Sequence, residues 1–149
     1  MIGEFERYHG AVVRDLIVCA RKPIEIEASD DLGRVNAFII DRAIAVYLKH
    51  SAKRLPPWQF TYFPEHLSEL ARLQARATKV WLLNVCGQDG VVAISLDEFF
   101  LINRELPNET AFLRVDRGRN TMYRVNGNAG KLARPKRRGL HCVLNQVEI

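Results

Sequence analysis

VNAFIIDRAIAVYLKHSAKRLPPWQFTYF, residues Val35 to Phe63, is the stretch that decides the fold. Val35–Ile40 and Ala43–His50 are apolar and rich in β-branched residues, with Asp41-Arg42 between them, which predicts two antiparallel strands joined by a tight turn. Alternation in the second strand puts Ile44, Val46 and Leu48 on one face and Ala45, Tyr47 and Lys49 on the other. Ser51–Pro57 reads as a basic loop, and Pro56-Pro57-Trp58 opens a further strand running to Phe63. With a two-residue turn Ile40 pairs with Ala43, and counting back sets Asn36 opposite Tyr47.

Upstream, Gly3 to Ala20 has helical periodicity, with Phe5, Tyr8, His9, Val12, Val13, Leu16, Ile17 and Ala20 on one broad stripe. Ile24 to Glu27 alternates as a short strand, and Ser29 to Gly33 reads as a turn. Downstream, Pro64 and Glu65 suit the first turn of a helix to about Ala77, with Leu67, Leu70 and Leu73 inward. Val80–Cys86 is apolar apart from Asn84, the pattern of a central strand covered on both faces. Gly87 to Gly90 is a hairpin turn into Val91–Ile94, and Ser95-Leu96-Asp97-Glu98 is a capping box for a short helix. Ala111–Asp116 and Thr121–Val125 predict a last hairpin. Beyond Gly130 the chain reads as a basic, loosely held tail, though His141–Val147 is apolar enough to dock.

These elements predict a mixed α+β protein: a central mixed sheet with helices packed on it, plus a C-terminal β-hairpin. At 149 residues one domain is expected. It divides into a core (1–95), an accessory helix and hairpin (96–130) and a basic tail (131–149). No apolar run approaches the roughly 20 residues of a membrane helix, and the opening MIGEFERYHG is too acidic for a secretory signal. Cys19, Cys86 and Cys142 lack metal or disulfide spacing and read as buried thiols, so a cytoplasmic location is expected. The net charge of +5 is less informative than its placement. Basic residues cluster at Lys49–Arg54 and again at Arg114–Arg138; such a run can be a solvated tail, and its placement twice beside a strand end points equally to a nucleic-acid partner, DNA or RNA.

The order helix, three-stranded meander, helix, strand, with Lys49 ending the third strand, resembles the core of the PD-(D/E)XK nuclease superfamily. GEFERYHGAVV looks like its first helix, NAFIIDRAIAVYLKHS like its hairpin, and YLK stands where that family has a carboxylate, any residue, and lysine. The resemblance covers about Gly3 to Ser95. It implies a restriction-endonuclease-like core and phosphodiester hydrolysis with Mg²⁺ as cofactor. Glu6 and Asp41 would be the metal ligands and Lys49 would stand at the scissile phosphate, making these three the catalytic candidates. Tyr47 departs from the pattern, as does Asn36, and Mg²⁺ wants one or two carboxylates. A degenerate or inactive nuclease that still binds nucleic acid is therefore expected.

Glu6, beside Val13 and Ile17 on the helix, is the more inward acid, and Glu4 points further toward solvent. Asp41 is also a natural turn former at the hairpin end away from Lys49. Lys53, Arg54 and Trp58 are the best binding candidates, because basic side chains hold phosphates and an aromatic can stack on a base. Lys49, Ser51, Arg117 and Arg119 complete the expected nucleic-acid set. Trp58 as a core anchor is the competing reading. The rival function is a protein-interaction module using a face around Trp58, Phe60 and Tyr62. Self-association into a homodimer is compatible with either.

Overall fold

The computed structural model describes residues 1–29, 36–104 and 109–144. The expected turn residues 30–33, Val35, and residues 145–149 of the C-terminal segment lie outside these. The chain is mixed α+β, with two sheets and helices packed on them. Helix α1 (Glu4–Ala20) is followed by β1 (Ile26–Ser29), β2 (Ala37–Ile40) and β3 (Ile44–Ser51), an antiparallel meander. Helix α2 (Pro64–Arg76) then crosses over to β5 (Lys79–Cys86), which lies parallel to β3, and β6 (Gly90–Ser95) closes the sheet in the order β1-β2-β3-β5-β6. The hairpin beside Val80–Cys86 and the packed first helix are therefore as expected.

Strand β4 (Trp58–Tyr62) forms where the sequence predicts a strand. It leaves the central sheet and pairs with β7 (Ala111–Asp116), which pairs with β8 (Arg124–Asn126), giving a second, antiparallel sheet. Burial explains the split. Trp58, Phe60 and Tyr62 alternate with Gln59 and Thr61 and are 1%, 2% and 0% exposed, so this strand covers the core with one face only. β3 and β5, apolar on both faces, already occupy the sheet's centre. One core, between the sheets, collects Tyr47, Trp58, Tyr62, Leu70, Leu82 and Phe99. The other, under α1, collects Val12, Leu16, Val46, Leu48 and Leu83. Burying a side chain of this size against leaving it in water is worth about 1.5–3 kcal/mol.

The hairpin register differs by one residue from the expected one. Asp41 and Arg42 both have positive φ (51° and 58°), and Ala43 N donates to Ile40 O at 3.0 Å, so the tight turn forms. Ala43 then stands out of the ladder, its carbonyl accepting from Thr78 N and Lys79 N at the start of β5. Ile40 therefore pairs with Ile44, and Ala37, not Asn36, stands opposite Tyr47.

Asn84, the polar residue in β5, is fully buried and accepts a 2.6 Å hydrogen bond from the Tyr62 hydroxyl. Gly87 has φ +54°, and a Cβ there would stand 2.3 Å from Lys53 O, so glycine lets the 51–57 loop close onto the end of β5. Ser95 caps α3 (Leu96–Ile102) reciprocally with Glu98, as expected.

The C-terminal segment is docked rather than loose. Lys131 and Lys136 bridge to Asn126 and Tyr123, Gly139 bridges to Val92, and α4 (His141–Leu144) buries Val143 against α1. Cys86 is buried, but Cys19 is half-buried and Cys142 exposed, and all three are free thiols, which corrects the expectation of three buried ones. Among the described residues no helix is long and apolar enough to cross a membrane.

Candidate nucleic-acid interface

A groove of about 440 Å³ opens where the C-terminal end of β3 meets β4 and the N-terminal ends of α1 and α2. Its size is that of a small-ligand site. Lys49 is its centre. Alternation places Lys49 on the face of Tyr47, and the half-buried ammonium donates to Thr61 O at 2.6 Å and sits 4.9 Å over the Tyr62 ring. One of its three hydrogens is thus used inside the protein. Burial lowers its pKa from 10.5 to about 8, with Glu69 and Glu65 acting to raise it.

Two side chains from α2 line the groove that the sequence reading did not name, His66 and Glu69. The His66 Nδ1 accepts from Phe63 N at 3.0 Å, which closes the first turn of the helix and leaves Nε2 as the N–H of the neutral ring. Burial, then the Lys49 charge, lowers the His66 pKa, so the ring stays a neutral donor. Glu69 accepts a short hydrogen bond from the Tyr47 hydroxyl. Burial and then Glu69 hold Tyr47 far above the usual phenol range, and Asn36 also bonds it. The periodic signal was legible: His66 and Glu69 stand four residues before Leu70 and Leu73, which face the core.

On the other wall His50 bridges His9 (3.3 Å) and Glu4 (3.1 Å) and stacks on Tyr8. This reverses the expectation for the two glutamates. Glu6 is exposed, because Ile17 on its stripe is 57% exposed and the buried line runs through His9, Val12 and Leu16. Glu4, one turn before Tyr8, is the acid that reaches β3. Asp41 lies at the far end of the hairpin, five residues of strand and about 17 Å beyond the groove. There its carboxylate accepts from Glu25 N at 2.9 Å and holds β1 to the turn. Glu6, Asp41 and Lys49 are therefore not brought together.

The donors do not fit a protein-held Mg²⁺. Tyr47 and Ala37 occupy the facing hairpin positions, and Glu69, the carboxylate of the groove, is engaged by Tyr47. Among the described residues no group of three His, Cys, Asp or Glu is placed to hold a metal ion.

The remaining candidates separate. Trp58 is 1% exposed, its Nε1 donates to Lys53 O and its ring meets Tyr123 edge-on, so it anchors the core and offers no face for a base. Lys53 is exposed, its Nζ on Pro57 O, Ser51 Oγ accepts from Lys53 N, and Arg54 is exposed. Arg117 is committed to Asp89 through two hydrogen bonds of 2.6 and 2.7 Å, holding that carboxyl below its usual range, while Arg119 is exposed. Phe60 and Tyr62, expected with Trp58 on a protein-interaction face, are buried like it. No family model matches this chain, and no curated protein or solved structure matches it.

Proposed function

We propose that this chain binds nucleic acid, holding a backbone phosphate at Lys49, on a PD-(D/E)XK-like core without that family's metal site. The observation that carries the reading is Lys49 itself: a half-buried ammonium, fixed by Thr61 O and the Tyr62 ring, with two hydrogens left for a ligand in an open groove. A neutral His66 N–H at the start of α2 adds a second donor beside it. The order of helix, antiparallel meander, crossover helix and parallel strand supports the family resemblance. Both basic clusters also border the second sheet. Lys53 and Arg54 stand on the loop that enters β4, and Arg114 pairs with Gln59 on that strand. No hydrolytic step is assigned, because the carboxylates such a step uses stand elsewhere.

Fluorescence anisotropy with short labelled oligothymidylate and oligouridylate at low ionic strength tests this. Wild type should bind, and affinity should fall with added salt as phosphate contacts release counterions. Lys49→Met removes one charge-assisted hydrogen bond, worth about 1.5–3 kcal/mol, and should weaken binding at least tenfold. Wild-type protein that binds neither oligonucleotide, or a Lys49→Met variant that binds as well, refutes the proposal.

A further inference from the structure

The positive charge of the chain belongs to one region. Residues 109–144 hold nine lysines and arginines against two acids, +7, so the rest of the chain carries −2 of the net +5. This region supplies β7 and β8 and the segment bridged to them, and the exposed Arg114 and Arg124 of those strands share a face. On β7 the inward residues Ala111, Leu113 and Val115 are fully buried, which turns Arg114 outward. The register sets Arg114 between Gln59 of β4 and Asn126 of β8, and sets Asp116 beside Arg124. Lys131 bridges to Asn126 at the β8 edge, where a second groove of about 440 Å³ runs between β8 and the 131–135 segment. At the other edge Gln59 and Thr61 line the Lys49 groove. A continuous outward surface therefore joins two grooves, with arginines along it and one acid, Asp116.

We infer that this outward face of the second sheet is the path of a single nucleic-acid strand that ends in the Lys49 groove. The inference rests on the nucleic-acid reading above and names the ligand class and its route. Arg124 and Arg114 hold successive backbone phosphates, and the Gln59 and Asn126 amides beside them reach base edges. The half-buried Phe112 ring, next to Thr61, offers a stacking edge. A single strand fits this surface better than a duplex. Neighbouring strands lie about 4.8 Å apart, so the crossing from β8 to β4 is about 10 Å. Among the described residues the region that supplies this face, 109–144, holds no helix longer than the four residues of α4 to enter a major groove about 12 Å wide.

The test compares Arg114→Glu with Arg124→Glu, made together, against a control pair of equal charge change at exposed positions on α1 and just past its C-terminal end, Arg14→Glu with Lys22→Glu. Probes are labelled oligothymidylate, its duplex with oligoadenylate, and vesicles of anionic phospholipid. Circular dichroism and urea unfolding establish that each variant is folded. The sheet pair should weaken single-strand binding at least tenfold, and the alanine pair at the same positions should flatten the salt dependence by about 1.4, two contacts at 0.7 each. Asp116→Asn, which removes the one acid, should tighten binding severalfold. The α1 pair should change affinity less than threefold. Equal losses from both pairs, equal affinity for duplex and single strand, or tighter binding to vesicles would each overturn the inference. If Lys49→Met weakens binding and the sheet pair does not, this inference fails while the reading of the Lys49 groove stands. If wild type binds no oligonucleotide, both fail.

Discussion

Replacing Lys49 by methionine should make the pH dependence of stability visible at one side chain. The unfolded chain keeps the Lys49 proton up to about pH 10.5, whereas the folded protein gives it up near 8 because burial disfavours the charge. Between those values the unfolded state binds more protons, so stability rises with pH across that window. A displacement of about 2.5 units at 1.36 kcal/mol each sets a ceiling of roughly 3 kcal/mol. Lys49 borders an open groove, and solvent screening reduces this to about 1–2 kcal/mol. Methionine keeps most of the volume and carries no proton. The unfolding free energy of wild type relative to Lys49→Met should therefore grow by about 1–2 kcal/mol from pH 8 to pH 10.5. Tyr47, Tyr62 and Cys86, held above their ordinary ranges mainly by burial, are common to both proteins and largely cancel in the difference. Urea unfolding followed by circular dichroism at intervals across that range is the assay. Parallel curves for the two proteins would show that Lys49 is solvated and that its burial has been overstated.

Four further outcomes follow from the same geometry. Trp58→Ala should cost about 3–5 kcal/mol in urea unfolding, as for a large core side chain, and a near-neutral result would mean the indole is not packed. Tyr62→Phe strips the fully buried Asn84 of its hydroxyl partner and should cost about 1–3 kcal/mol, measured the same way. Asp41→Ala should lose the tie to Glu25 and strain a residue at φ +51°, costing about 1–2 kcal/mol while leaving oligonucleotide affinity unchanged. Calorimetry with Mg²⁺ on the wild type should show no tight site, and a tight site lost in Asp41→Ala would overturn the placement of that residue.

Patterns of local period carried most of the fold. The alternation of Ile44 to Lys49, the apolar run of Val80 to Cys86 and the Ser95–Glu98 capping box each formed the element they predict. What local pattern does not carry is which sheet a strand joins. Trp58–Tyr62 alternates like any half-buried strand, and its partner, Ala111–Asp116, lies about fifty residues downstream. The register error had a similar origin: Ala43 leaves the ladder because its carbonyl serves Thr78 and Lys79, a long-range demand invisible in the turn itself. At the site, Lys49 was legible from its position at a strand end. His66 and Glu69 share their helix with Leu67, Leu70 and Leu73, a pattern that reads as packing. Glu6 reads as the more inward acid only while Ile17 belongs to the buried stripe, and Ile17 is exposed.

The most direct test of the central claim is the map of amide shifts in ¹⁵N-labelled protein titrated with a short single-stranded oligonucleotide at low ionic strength. The account predicts salt-sensitive shifts confined to Lys49, His50, Gln59–Thr61 and His66 around the groove and to Arg114, Arg124 and Asn126 across the second sheet. An unchanged spectrum, or shifts centred on the exposed Ile17 and Val18 of α1, would contradict it.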